Sequence, residues 1–150
     1  MKAIIFDFNR TLFDPDENKI EDDAFPLLEL LKGKGCKLAL LSVGDEDRES
    51  QIQPIASFFD AIMIVSDKSE RCFLDIAQRL AVKPSDIIVI GDRIKREIVL
   101  GKKCGMMTIW LQRGKFSTEI PLTHREQPDY VCTGLSDITM FLKNTKFGGI

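Results

Sequence analysis

Four short stretches of this chain gather the side chains that could do chemistry. Asp7, Asn9, Arg10 and Thr11 follow one apolar run. Ser42, Val43 and Gly44 follow a second, and Ser66, Asp67 and Lys68 a third. Asp92 and Arg93 follow a fourth, with Glu97 one helical turn on. Asp7 and Asp92 together offer the hard oxygen ligands that Mg²⁺ takes, usually while keeping several waters. Such a cation, with Lys68, could neutralise a phosphoryl group. The Ser42 hydroxyl and the N–H groups of Val43 and Gly44 could hold its oxygens. Asp7 could then act as nucleophile and carry an acyl phosphate. An acid that closes a buried strand is costly unless it meets a cation or donors, so packing alone does not explain Asp7.

The elements around these stretches must bring them together. Residues 3–6, 37–42, 61–65, 87–90 and 107–111 are apolar runs of strand length. Helical patterns lie between them. The segment 22–34 has Pro26 near its start and Gly33 and Gly35 at its end. The segment 46–58 is weakened by Pro54, and 69–81 carries an apolar stripe with Ser69 placed to cap it. A fourth helix runs to about Cys104, closed by Gly105. Residues 113–128 read as a loop, 130–132 as an edge strand and 136–142 as a last helix, with residues 146–150 a frayed tail. Alternating strands and helices predict an α/β fold, a doubly wound three-layer α/β/α Rossmann-like sandwich with a mainly parallel sheet. Ligands of such sheets bind at the carboxyl ends of the strands, where all four stretches lie.

In that order, the stretches resemble the motifs of the haloacid dehalogenase superfamily. The string Asp7-Phe8-Asn9-Arg10-Thr11-Leu12 is similar to its first motif, Ser42 to the second, Lys68 to the third, and Gly91-Asp92 with Glu97 to the fourth. The resemblance covers about residues 3–132 and implies a Mg²⁺-dependent phosphatase with an aspartyl-phosphate intermediate. It implies metal ligation by the Asp7 and Asp92 side chains and the Asn9 backbone carbonyl, with Glu97 supporting the metal site. Ser42 and Lys68 would hold the phosphoryl group. Members often carry a cap domain after the first or second motif. Here 34 residues separate Asp7 from Ser42 and 25 separate Ser42 from Lys68. Neither gap holds a cap, so residues 1–150 are expected to form one core domain. The acidic stretch 14–23 is either a small flap over the site or, preferably, a solvated loop.

The sequence departs from the family pattern two residues past the nucleophile. Phosphatases of the family usually have a second Asp there, which protonates the leaving oxygen and then activates water. Asn9 has no proton to exchange near neutral pH, although a metal contact through its backbone carbonyl is untouched. General acid–base catalysis is worth ~10²–10⁴-fold, and a loss of that order is expected. Three readings follow: a hydrolase of substrates with good leaving groups, a phosphoaspartate switch, or a phospho-ligand-binding module. Arg10, where the family commonly has glycine, either reaches substrate or lies over the first turn.

The bulk of the sequence is compatible with this reading. Apolar residues make up 44%, charged residues 29%, and the net charge of −2 gives no general pull toward nucleic acid or anionic membrane. No apolar run approaches the ~20 residues of a membrane helix, and the charged start is unlike a signal peptide, so the cytoplasm is the default. Cys36, Cys72, Cys104 and Cys132 are too scattered for a disulfide framework or zinc site and read as mostly buried thiols. Seven bases lie in residues 93–115 against Glu97 alone. Such runs are usually a solvated face, though Arg93, Lys95 and Arg96 start beside Asp92. A receiver-like signalling domain fits less well, because Lys68 comes too early and receivers place their phosphoacceptor on the third strand. No dinucleotide-binding glycine motif follows the first strand. The expected partner is a phosphorylated substrate, and the edge strand near Tyr130 offers a second copy a place to pair.

Overall fold

A computed structural model describes residues 1–147; the end of the expected tail, 148–150, lies outside the described residues. Eight strands and five helices follow in order: β1 (Ala3–Phe6), β2 (Phe13–Asp14), β3 (Lys19–Ile20), α1 (Ala24–Gly33), β4 (Lys37–Val43), α2 (Glu46–Ile52), β5 (Ala61–Val65), α3 (Glu70–Leu80), β6 (Ile87–Gly91), α4 (Val99–Lys103), β7 (Met107–Leu111), β8 (Tyr130–Cys132) and α5 (Leu135–Lys143). Six strands form one sheet in the order β5-β4-β1-β6-β7-β8. Every neighbouring pair in it is parallel. The chain winds outward from β1 through β4 to β5, then returns to β6 on the other side of β1. That reversal is a switch point, and the ends of β1 and β6 open into its crevice.

Continuous apolar strands are needed because both sheet faces are covered. Alternate side chains feed two cores. Ile4, Phe6, Leu38, Leu40, Ile88 and Ile90 pack with Leu27, Leu28 and Leu31 of α1 and with Leu135, Ile138 and Leu142 of α5. Ala3, Ile5, Ala39, Leu41, Ile87 and Val89 pack with Phe73, Ile76, Ala77 and Leu80 of α3.

Several local expectations change. Residues 46–58 are not one helix: α2 ends at Ile52 and a 3₁₀ turn, Gln53–Phe58, takes over around Pro54, whose ring cannot continue the α-helical ladder. Ser69 occupies the cap position of α3 without a capping side-chain bond; its hydroxyl lies 3.4 Å from the Cys72 sulfur instead. The acidic stretch is no plain loop, because β2 and β3 pair there as an antiparallel hairpin. Of the expected tail, Phe147 packs against the larger core. All four cysteines are free, but only Cys36 is buried. No described helix is long and apolar enough to cross a membrane.

Candidate active site

Asp7 is the first residue past β1. Its N–H donates to the Ile90 carbonyl at 2.9 Å, which ties it to β6. Its Oδ1 accepts from the Lys68 ammonium at 2.5 Å, and its Oδ2 from the Thr11 hydroxyl at 3.0 Å. The Lys68 ammonium also donates to Glu97 Oε1 at 2.7 Å, and none of its side chain is exposed. Burial disfavours the charged amine. The two carboxylates outweigh it and hold the Lys68 pKa above its ordinary value.

Asp92 and Glu97 complete the cluster. One oxygen of each of Asp7, Asp92 and Glu97 lies within 4.8 Å of the others. Asp92 Oδ2 and Glu97 Oε2 are buried without a partner among the described residues. Burial, with Asp7 and Glu97 nearby, pushes the Asp92 carboxyl up to about 8. Burial and Asp7 also raise Glu97, against the pull of Lys68. Buried acids destabilised in this way favour either a proton or a metal ion. The donor set, oxygen only and anionic, suits a hard divalent cation.

The backbone explains how Glu97 arrives there. Residues Ile94–Ile98 form a π-helical turn ahead of α4, with the Ile98 N–H donating to the Arg93 carbonyl. Ile94 and Ile98 pack on Trp110, fixing the turn. A Cβ on Gly91 would lie 2.9 Å from Glu97 Cβ and Cγ, so glycine is what lets Glu97 fold back under the strand end. The Trp110 indole N–H donates to the Asp92 carbonyl at 2.9 Å and holds that loop to β7.

A cavity of about 260 Å³ opens above the cluster. Asp7, Asn9, Arg10, Val43, Asp92 and Glu97 line it, together with Arg48, Arg93, Arg96, Lys115 and Phe116. Asn9 and Arg10 belong to a tight loop in which the Thr11, Leu12 and Phe13 N–H groups all donate to the Phe8 carbonyl. Among the described residues no donor reaches the Asn9 carbonyl, so the loop leaves it open to a ligand. Arg10 has φ +64°, which explains why glycine suits this position.

Three expected phosphoryl holders do not line the cavity. The Lys68 ammonium is buried against Asp7 and Glu97. The Ser42 hydroxyl donates to the Val43 carbonyl at 3.1 Å. The Gly44 N–H donates to the Val65 carbonyl at 3.2 Å, extending the sheet ladder, and so is not free for an anion.

The sequence pattern also missed residues that do line it. Arg48 stands on the first turn of α2, and helical side chains tilt toward the N-terminus, here back toward the strand ends. It lies over the Phe8 ring at 5.2 Å. Its position just after the second stretch was the available signal. Lys115 and Phe116 come from the segment 113–128, which is pinned rather than loose. Arg113 donates to the Thr11 carbonyl at 3.1 Å and pairs with Glu21 of the hairpin region. Glu119 accepts from the Ile94 N–H at 3.0 Å and pairs with Arg93 at 3.5 Å. The Arg93 guanidinium stacks 4.0 Å over Phe116. Arg93 and Arg96 therefore face the site rather than forming a solvated helix face; exposed Lys95 points elsewhere.

Known proteins resemble the chain at both levels. Residues 65–138 match the family described as HAD-hydrolase-like. The glyceraldehyde 3-phosphate phosphatase of Methanopyrus kandleri is 30% identical over 116 residues, 72% of this chain and 50% of that protein. The N-acylneuraminate-9-phosphatase of Mus musculus is 28% identical over 134 residues, 83% of this chain and 52% of that protein. The chain thus spans about half the length of these curated relatives. Among solved structures, a HAD phosphatase from Thermococcus onnurineus superposes with a TM-score of 0.82 at 16% identity, covering 95% of this chain and 98% of that one. A 2-haloacid dehalogenase from Pseudomonas syringae gives 0.78 at 17%, covering 95% and 98%. At such identity the structural likeness speaks for the fold alone.

Proposed function

Because the chain belongs to the haloacid dehalogenase-like hydrolase family, we propose that it is a Mg²⁺-dependent phosphohydrolase with Asp7 as its nucleophile. The observation that carries this reading is the buried cluster of Asp7, Asp92 and Glu97 around Lys68. The Asp7 and Asp92 side chains and the Asn9 carbonyl would hold the cation, with Glu97 supporting them. When bound, it would supply positive charge for the phosphoryl oxygens. Lys68 and Thr11 orient the Asp7 carboxylate. The carboxylate so held presents its oxygens as the nucleophile. An Asp7 oxygen forms a bond to phosphorus while the bond to the leaving oxygen breaks. Water then attacks phosphorus, releasing inorganic phosphate and the free carboxylate. That the chain works without a cap, with the hairpin and the segment 113–128 as walls, belongs to the same proposal, as do phosphorylated small molecules as substrates.

Asn9 sets the rate. No side chain at that position can protonate the leaving oxygen, so that oxygen must depart as an anion or take its proton from water. Esters with acidic leaving groups are therefore the favoured substrates. Asn9 also favours a second reading, in which the phosphoaspartate persists and the domain acts as a switch or phospho-ligand binder. Turnover of p-nitrophenyl phosphate with Mg²⁺ tests the proposal. The native chain is expected to turn it over slowly, and Asn9→Asp to raise the rate of alkyl phosphate hydrolysis by ~10²–10⁴-fold. If neither variant releases phosphate from any ester, and beryllofluoride forms no adduct on Asp7, the proposal fails.

A further inference from the structure

The cavity above Asp7 holds more positive charge than a phosphoryl group requires. Five basic side chains line it: Arg10 from the loop after β1, Arg48 from α2, Arg93 just before the π-helical turn and Arg96 within it, and Lys115 from the segment after β7. Asp7 acts electrostatically on Arg48 and Glu97 on Arg96, but the charge of the acidic cluster is matched nearer at hand. Three carboxylates there meet Lys68 and would meet one divalent cation, which leaves the cluster neutral. Glu119 answers Arg93. Among the described residues, Arg10, Arg48, Arg96 and Lys115 have no carboxylate within 4.0 Å. A phosphoryl dianion balances two of these four cations and leaves two over.

We infer that the substrate carries a second anionic group, a carboxylate or another phosphate, held by the basic rim of Arg10, Arg48, Arg96 and Lys115 while its phosphoryl group meets Asp7. The inference rests on the reading of Asp7 as phosphoryl acceptor. Two further observations support it. Among the described residues the Nε of Arg48 is buried without a partner, a state a bound anion would relieve. Arg10 keeps the left-handed backbone that suits glycine, so its placement at the cavity costs conformational energy. Size limits the ligand as well. A space of about 260 Å³ is at the small end for ligand sites and suits a compact metabolite.

Paired substrates test this with Mg²⁺ present. Ethyl phosphate has an uncharged remainder, phosphoglycolate adds a carboxylate, and propane-1,3-diol bisphosphate adds a phosphate. The two probes with an anionic remainder are expected to have kcat/KM values roughly 10- to 100-fold above ethyl phosphate, the range of a charge-assisted hydrogen bond. Which probe is preferred tells carboxylate from phosphate. The same order is expected in calorimetric affinities measured on Asp7→Asn, which binds without turnover. Arg96→Gln with Lys115→Gln should reduce the preference, and Lys95→Gln, an exposed neighbour outside the cavity, should not. Equal kcat/KM and equal affinity for all three probes would overturn the inference while leaving the phosphohydrolase standing. Absence of turnover with the affinity preference intact would instead sink the hydrolase reading and keep the rim as an anion site.

Discussion

Lys68 shows what a single residue can be asked to do in this site. It is fully buried, 2.5 Å from Asp7 and 2.7 Å from Glu97. Its pKa is raised, so the stability it contributes is complete below its ordinary value of 10.5 and is lost only as pH climbs through the raised value. At pH 7 all of it is present. Lys68→Met would leave two buried carboxylates without their cation, at a cost of about 3–5 kcal/mol. Urea denaturation at pH 7 measures this. A loss below about 1 kcal/mol would mean that Asp7 and Glu97 find other partners or take up protons. The sequence shows a lysine after the third strand and nothing of its cage. Asp7 was legible because an acid ends an apolar strand. Glu97's part in the cage was not, because its direction depends on Gly91 and on how one turn is wound.

That turn belongs to the scale of elements, where legibility divides by physical origin. The strands were legible because a sheet covered on both faces needs uninterrupted apolar runs, and the five main strands match their expected bounds to within a residue. The π-helical turn leaves no sequence signature, being set by packing of Ile94 and Ile98 on Trp110. The same holds for the segment 113–128, whose polar composition reads as loop while Arg113 and Glu119 lock it over the site. Trp110 makes this region measurable, because it is the only tryptophan in the chain and its indole N–H donates to the Asp92 carbonyl. A cation held by Asp92 should change the polarity and geometry around that indole. Titration with Mg²⁺ is expected to shift its emission saturably, and Asp92→Asn should abolish the shift without unfolding the chain. An unaltered response in Asp92→Asn would place the cation elsewhere.

At the scale of the molecule, the doubly wound sheet brings three acids and one lysine together, and burial with repulsion among the acids ties folding to protons. Asp92 is raised to about 8, and Glu97 is raised as well, by burial and by Asp7. Between the ordinary carboxylate range and pH 8, the metal-free native chain therefore holds protons that the unfolded chain has released. The sign follows: the contribution of these two groups to stability is present at low pH and falls as pH rises through that window. A cation at the cluster must displace those protons, so it binds more tightly at high pH than at low. Ligand binding to the native state alone adds about 2.7 kcal/mol at a concentration 100 times Kd. At one fixed Mg²⁺ concentration, Tm should then rise more at pH 8.5 than at pH 5.5, and the loss of stability toward alkaline pH should flatten. Differential scanning calorimetry at both pH values, with Mg²⁺ and with chelator, makes the comparison. Asp92→Asn removes one of the two titrating acids and should shrink the difference between the two pH values. An equal Mg²⁺ shift at both pH values would separate the proton-binding acids from the metal and leave the cluster held by Lys68 alone.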